Sequence, residues 1–304
     1  MVTHFDLLRG APTWRCACFG HRRRALLTGA AAATLAAAAG PAAAQIPECT
    51  RSKLTNLVPA EQVEQAAAQQ YAQLLQKASG QRALAPADQP QLRRLRAIAQ
   101  RIVPLTAACN ERARQWRWEV NLIGSPQINA FCMPGGKIAF FHGILAQLQL
   151  NDDEVAVIMG HEVAHALLEH AREQMAKSTG TNLLLRGGAA LLGLGNVGDF
   201  VAQMGSQLLS LKFGRNDESE ADELGLVMAA QAGYDPSAGV SLWQKMMAGA
   251  KGAPPPWLST HPSNADRISD IQKRLPRVLP MYQAAAKPPQ RFEPPARPAS
   301  AAAR

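Results

Sequence analysis

The stretch that decides the fold is Asp152–Leu167, which reads DDEVAVIMGHEVAHAL. Asp152 is a good N-cap residue, and the acidic residues that follow it lie where the helix dipole favours negative charge. The apolar residues recur at helical spacing. They are Val155, Ile158, Met159, Val163, Ala166 and Leu167. The pattern predicts a helix that is buried along one side.

Two histidines and a glutamate on this helix form the strongest functional signal in the chain. His161 and His165 are four residues apart, so they project from one face about one turn from each other, as two ligands of a single Zn²⁺ must. Glu162 points towards the same cleft, where it can take a proton from an attacking water. This five-residue pattern arises by chance in roughly one chain in a hundred of this length, so the motif alone is only a hypothesis.

A later acidic segment offers the carboxylate that two histidines leave missing. Glu218 and Asp222 are also four residues apart, on a helix predicted from about Glu218 to Ala232, so they share a face. One can bind the metal while the other accepts a hydrogen bond from a ligating histidine, which fixes the tautomer of that histidine. Glu220 lies two positions from each and should face elsewhere. Capping and solvation of an acidic helix start are the alternative reading of this segment.

The remaining pattern predicts an α+β domain in which α-helix predominates. The predicted elements are helices over 60–102 with a break at 85–88, strands over 116–122, 127–132 and 138–141, and a helix over 143–150. The apolar run 183–195 is interrupted by Arg186 and is too short to span a bilayer. For that run, a buried helix, a mobile flap and an interfacial segment all stay open.

The two ends of the chain explain most of its charge. The 304 residues carry a formal net charge of +9, which by itself suggests a nucleic acid or an anionic membrane as a partner. Residues 1–44 hold five Arg and one Asp, and residues 287–304 hold four basic residues and one Glu, so the body carries only about +2. We therefore expect no nucleic-acid partner.

The N-terminal residues 1–44 are typical of an export signal. Basic residues 22–24 precede an Ala-rich apolar run, and small residues 42–44 precede Gln45, as at a cleavage site. The two arginines at 23–24 leave Sec and twin-arginine export open, and a retained membrane anchor is the alternative. We expect a folded domain over 45–286 and a disordered Pro-, Ala- and Arg-rich tail over 287–304.

The cysteines agree with export. Cys49, Cys109 and Cys132 remain once the leader is removed. In an oxidising compartment Cys49 can pair with Cys109 and staple the mature N-terminus to the first helical region. Cys132 would then be a free thiol, and a small apolar strand residue is its expected role.

Several motifs in a fixed order resemble one family. They are residues 129–136 (NAFCMPGG), 161–165 (HEVAH), 218–222 (ESEAD), 233–236 (GYDP), 260–262 (THP) and 267–268 (RI). Over roughly residues 127–271 they resemble the zinc metallopeptidases typified by HtpX, BepA and LoiP, of the CAAX prenyl protease type. The resemblance implies peptide hydrolysis and a zincin-like fold, with a small β-sheet whose edge strand lies beside the active-site helix.

The resemblance also implies roles for individual residues. It makes His161, His165 and Glu218 the ligands of one Zn²⁺ per chain, Glu162 the base and proton shuttle, and Asp222 the partner of a ligating histidine. Glu220 is a minor alternative ligand.

A substrate-binding strand is implied as well. Its residues would be Asn129, Ala130, Phe131 and Cys132, which offer backbone hydrogen bonds to an extended substrate. Such strand addition recognises exposed backbone more than side-chain identity.

Three further histidines have open or ordinary roles. His261 could close the site as an extra ligand, or stabilise the oxyanion when its loop moves, or simply cap a turn before Pro262. We expect His142 and His170 to be surface or packing residues, with His170 facing away from the metal.

The function that follows is a zinc-dependent endopeptidase of the cell envelope, in the periplasm or at the outer-membrane periphery of a Gram-negative-type bacterium. Its partners would be misfolded or unassembled envelope polypeptides. Two other classes stay open. One is a zinc-stabilised chaperone or adaptor with little or latent proteolysis, and the other is a surface-binding module that uses the basic tail for peripheral membrane association.

Overall fold

The computed structural model describes residues 49–185, 208–249, 255–262 and 266–297. The predicted leader over 1–44 lies outside these residues, as does most of the apolar run 183–195. The described part is mostly helical with one small sheet, so the predicted α+β class is confirmed.

Helices account for most of the described chain. They are α1 (Ala60–Gly80), α2 (Pro90–Ile102), α3 (His142–Leu148), α4 (Asp152–Leu167), α5 (His170–Leu185), α6 (Arg215–Gln231), α7 (Ala238–Gly249), α8 (Pro256–Thr260) and α9 (Arg267–Ala284). Short 3₁₀ turns occur at Lys53–Leu57, Val103–Ala108, Glu111–Arg114 and Leu208–Ser210. Within the described ranges, no helix combines the length and the apolar character that a bilayer span requires.

Three strands form the sheet: β1 (Glu119–Ile123), β2 (Ala130–Met133) and β3 (Lys137–Phe141). β3 lies in the middle, parallel to β1 and antiparallel to β2. The turn between β2 and β3 contains Gly136 at φ +77, where a Cβ would lie 2.7 Å from the Trp118 ring. Because β2 pairs only with β3 in this sheet, it is an edge strand. It packs beside α4, as the resemblance implies.

The N-cap of α4 lies one residue before the predicted one. Asn151 is the cap: its side chain accepts from the backbone N–H of Glu154 at 2.9 Å, and the Glu154 carboxylate accepts from the N–H of Asn151 at 2.9 Å. Asp152 lies inside the first turn and pairs with the buried Arg94 at 2.6 Å. The prediction of Asp152 as the cap was wrong. Asn and Asp are both favoured N-cap residues, and the neighbouring sequence does not show that Asp152 pairs with the distant Arg94.

α4 packs against α6, and the two helices approach most closely at a pair of glycines. A Cβ on Gly160 would lie 2.6 Å from the carbonyl oxygen of Gly225, and a Cβ on Gly225 would lie 2.7 Å from the backbone nitrogen of His161. Only glycine permits this approach at either position. The close crossing brings the first turns of α6, which begins at Arg215 rather than at Glu218, beside His161.

The disulfide that the sequence allowed is present. Cys49 and Cys109 are bonded, with their Cα atoms 5.2 Å apart. Cys132 is a buried free thiol on β2.

The segment 287–297 is largely exposed, and it makes polar contacts with the folded domain. The N–H of Phe292 donates to Asp152 at 2.9 Å, Arg291 pairs with Asp153 at 2.7 Å, and Gln91 donates to the carbonyl of Glu293 at 2.9 Å. These polar contacts are with the starts of α4 and α2, and the composition of the segment does not reveal them. These contacts place 287–297 beside the domain, the disorder of the tail over 287–304 stays a prediction, and residues 298–304 lie outside the described ranges.

Candidate metal centre

Four buried side chains converge beside the sheet. They are His161 and His165 from α4, Glu218 from α6, and His261, which directly follows α8. One donor atom from each lies within 4.8 Å of the others. Imidazole nitrogens together with a carboxylate oxygen suit a divalent transition metal. The structure thus brings together the three predicted ligands and adds His261.

The ring nitrogens that face the cluster are the Nε2 atoms of the two α4 histidines. His165 Nε2 lies 3.1 Å from His161 Nε2 and 3.4 Å from Oε1 of Glu218. His161 Nε2 lies 3.7 Å from Oε2 of Glu218. Both rings therefore turn the same nitrogen towards the Glu218 carboxylate.

Asp222 lies behind the cluster, in the place predicted for it. Its Oδ1 is 3.0 Å from Nδ1 of His161. Arg267 from α9 binds both acids of α6, through Nε to Oδ2 of Asp222 at 2.7 Å and through Nη1 to Oε2 of Glu218 at 2.6 Å. Its guanidinium lies 3.8 Å from the centroid of the Trp243 ring. In the sequence, Arg267 is only part of a motif. Its contacts with Asp222 and Glu218 join residues that are far apart in the chain, so the motif does not predict them.

Glu162 lies beside the cluster and is bound by a residue that sequence reasoning missed. The indole N–H of Trp257 donates to Oε1 of Glu162 at 2.6 Å. Trp257 is 1% exposed and stacks on the His261 ring with a centroid distance of 4.9 Å. The short helix α8 therefore positions both Trp257 and His261 against the site.

His261 belongs to the cluster rather than to a surface turn. Its Nδ1 lies 2.9 Å from Oε1 of Glu218 and 3.3 Å from Nε2 of His161. Its Nε2 lies 3.5 Å from Oε1 of Glu162. His261 also caps the end of α8, since its backbone N–H donates to the carbonyl of Trp257 at 2.9 Å, while the ligand and transition-state interpretations of its ring both remain predictions.

His170 is buried behind His165, outside the metal cluster, as expected of a packing residue. α4 ends at Leu167, Glu169 adopts a left-handed φ of +60, and α5 begins at His170. Because the chain turns at Glu169, the His170 ring lies beside His165, with the two Nδ1 atoms 2.9 Å apart. His142 is half-buried at the start of α3, outside this cluster.

The charges of the site suit a cation. Burial lowers the pKa of His165 well below its ordinary value, which keeps the ring neutral, as a metal ligand must be. Burial alone would raise the pKa of Asp222, but the charges and hydrogen bonds of Arg267 and His161 together outweigh burial and lower that pKa. For Glu218, hydrogen bonds with His165 and His261 likewise outweigh burial and lower the pKa. Neutral imidazole therefore lies beside ionised carboxylates.

His261 is the exception among the histidines. Burial alone would lower its pKa, but the carboxylates of Glu162 and Glu218 outweigh burial and raise the pKa of His261.

A cleft runs along β2 and past Glu162. Its β2 side comprises Asn129, Ala130, Phe131, Cys132 and Met133, and its other side includes Leu208, Leu209, Leu211 and Phe213. Asn129 lies one residue before β2, where its side chain accepts from the N–H of Ala130 at 3.0 Å. An edge strand thus borders the catalytic glutamate predicted from the sequence.

The helical His–x–x–x–His pair that faces an acidic residue of a later helix is the arrangement of a metal-dependent peptidase. A profile of peptidase family M48 matches residues 90–275, and the chain belongs to this family. The resemblance identified from the motifs is therefore confirmed.

Several curated relatives are similar over this region. Mitochondrial metalloendopeptidase OMA1 of Schizosaccharomyces pombe is 38% identical over 165 residues, which cover 53% of this chain and 48% of that protein. The OMA1 protein of Arabidopsis thaliana is 39% identical over 150 residues, covering 49% and 30%. Metalloprotease LoiP of Escherichia coli is 27% identical over 207 residues, covering 67% and 78%. The chain spans about half or less of the length of these OMA1 relatives.

Proposed function

We propose that this protein is a zinc-dependent endopeptidase that binds one Zn²⁺. The observation that carries the proposal is the buried convergence of His161, His165 and Glu218, with Glu162 beside them at a cleft. Two imidazole nitrogens and a carboxylate oxygen form a ligand set found at catalytic zinc sites, where a further position stays open for water or substrate. Membership of family M48 and the metalloendopeptidase names of the relatives support this activity.

The chain supplies the acid–base chemistry. A bound Zn²⁺ would polarise the scissile carbonyl and lower the pKa of water. Glu162 takes the proton from the attacking water and then delivers it to the leaving amine. Trp257 holds Oε1 of Glu162 through its 2.6 Å hydrogen bond, which fixes the carboxylate and leaves Oε2 for the proton.

The edge of β2 suggests how a substrate binds. The N–H of Phe141 donates to the carbonyl of Asn129 at 3.0 Å, so Asn129 faces β3. Because hydrogen bonding alternates along an antiparallel strand, the main-chain groups of Ala130 and Cys132 then face away from β3. An extended polypeptide can add to this edge through its backbone. We therefore propose unfolded segments of misfolded or unassembled proteins as substrates.

We also propose a location in the bacterial cell envelope. Support comes from the export-like pattern of residues 1–44 and from the Cys49–Cys109 disulfide, which an oxidising compartment favours. The relatives include bacterial proteins, among them LoiP and a putative beta-barrel assembly-enhancing protease of Vibrio cholerae. The OMA1 relatives carry mitochondrial names, so a mitochondrial setting is the alternative.

The position of His261 favours a second candidate, a zinc-stabilised chaperone or adaptor with latent proteolysis. Its buried ring lies inside the cluster, 2.9 Å from Glu218, where it competes with water or substrate for the metal. Incubation of purified protein with unfolded casein separates the two candidates. Cleavage that a chelator abolishes supports the endopeptidase. Zinc binding with suppressed casein aggregation and no cleavage supports the adaptor.

A further inference from the structure

We propose that His170 and Glu220 are positioning residues that hold His165 in its metal-binding tautomer. The inference rests on the proposed function, since it takes His165 to be a metal ligand. The sequence predicts that His170 is a surface or packing residue and that Glu220 is at most an alternative ligand.

The three side chains form a continuous chain of hydrogen bonds from the cluster to the surface. His165 Nδ1 lies 2.9 Å from His170 Nδ1, and His170 Nε2 lies 3.2 Å from Oε2 of Glu220. His170 is 1% exposed, whereas the Glu220 side chain is 57% exposed. We call these three residues the histidine relay.

The direction of each hydrogen bond follows from counting protons. Two imidazole nitrogens 2.9 Å apart share a single proton, since one must donate and the other accept. His165 turns Nε2 towards Glu218, so as a neutral ligand it carries its proton on Nδ1. His170 must then accept at Nδ1 and carry its own proton on Nε2, which donates to Glu220.

Different hydrogen-bond partners therefore orient the two histidines of α4. His161 bonds directly to a carboxylate, Asp222, at 3.0 Å. His165 has an imidazole in the corresponding place, with the carboxylate one step further out. Phe213 stacks on the His165 ring with a centroid distance of 4.1 Å, which restricts the ring plane but offers no acceptor for Nδ1–H.

One short segment of α6 thereby supplies a carboxylate to each of His161, His165 and His170. Glu218 faces the Nε2 atoms, Asp222 binds His161, and Glu220 binds His170. This explains why Glu220 lies outside the ligand cluster despite its position between the other two acids. Partners of this kind typically account for about 10–100-fold in metal affinity.

Zinc affinity measured by competition with a chromophoric chelator tests the relay. Each variant is made in a Glu162→Gln parent, so that proteolysis does not disturb the titration. We expect His170→Phe, which removes the acceptor, to weaken zinc binding about tenfold or more. We expect His170→Asn, whose Oδ1 can accept from His165, to restore the affinity to within about threefold of the parent.

The outer residue has a matched control on the same helix. We expect Glu220→Ala to weaken zinc binding about threefold, because water replaces only part of the orienting bond. Glu223→Ala should leave affinity unchanged, since Glu223 pairs with Arg277 at 2.9 Å instead. If the parent binds zinc and every His170 and Glu220 variant equals it, the relay is overturned while the proposed function stands. If the parent binds no zinc, both fail.

A second measurement does not depend on the folding of any variant. Long-range ¹H–¹⁵N spectra of the zinc-loaded parent report which ring nitrogen of each histidine is protonated. The relay requires the proton on Nδ1 of His165 and on Nε2 of His170. A proton on Nδ1 of His170 would overturn it.

Discussion

The indole Nε1–H of Trp257 donates a hydrogen bond to Oε1 of Glu162 across 2.6 Å, and both side chains are buried. The bond fixes the carboxylate that we propose as the base. We expect Trp257→Phe, which keeps a ring against His261 but loses the donor, to lower kcat about tenfold or more, as expected for a hydrogen bond to a charged group. Zinc content and KM should change little.

A matched control is Trp116→Phe, which removes an indole hydrogen bond to Glu64 (2.9 Å) outside the metal cluster. It should leave kcat at the wild-type value. Equal kcat for Trp257→Phe and wild type would show that Glu162 needs no such support.

The glycine crossing between α4 and α6 predicts a stability effect. Gly225→Ala would place a Cβ 2.7 Å from the backbone of His161, so the helices must separate. We expect a loss of about 1–3 kcal/mol in the free energy of unfolding, or a Tm lower by about 3–10 °C. Thermal unfolding measures it, with Gly80→Ala as control because no atom lies within 4 Å of the added Cβ. Equal melting of both variants would contradict the close crossing.

The disulfide predicts a dependence on reductant. Cys49 and Cys109 close a loop with a sequence separation of 60 residues. Opening a loop of that size should lower the free energy of unfolding by about 4 kcal/mol. Denaturant titrations with and without dithiothreitol measure the loss. A double Cys49→Ser, Cys109→Ser variant should have the free energy of unfolding of the reduced wild type, with or without dithiothreitol. If dithiothreitol also leaves the free energy of unfolding of the wild type unchanged, the disulfide does not stabilise the fold.

Backbone recognition at β2 predicts an alternating pattern in peptide substrates. N-methylation removes one donor at a time from an extended peptide. Only every second residue of an added strand forms hydrogen bonds with the edge at Ala130 and Cys132. Methyl groups at these alternate peptide positions should therefore raise KM, and methyl groups at the positions between them should have little effect on KM. Uniform tolerance across the peptide would exclude strand addition.

Local signals account for the part of the site that the sequence predicts. The spacing of His161 and His165, and of Glu218 and Asp222, depends only on helical periodicity, so the structure places all four where the pattern indicates. The boundaries of α4 and α6 were off by one to three residues, since several neighbouring residues are acceptable caps.

The parts that the sequence could not predict depend on a backbone reversal or on distant contacts. The left-handed turn at Glu169 redirects His170, and no glycine marks it. Trp257 binds Glu162 from 95 residues away and Arg267 binds Asp222 from 45 residues away, pairings that periodicity does not reveal. Composition likewise gave no sign that Phe292 would bind Asp152.

Glu162 is proposed as the catalytic base, and it is not one of the residues of the metal cluster. The most direct measurement compares wild type and Glu162→Gln for bound zinc, by elemental analysis, and for the rate of casein cleavage. We predict one zinc per chain in both proteins, with cleavage that the variant loses. A variant that keeps its zinc and cleaves casein at the wild-type rate would contradict the account.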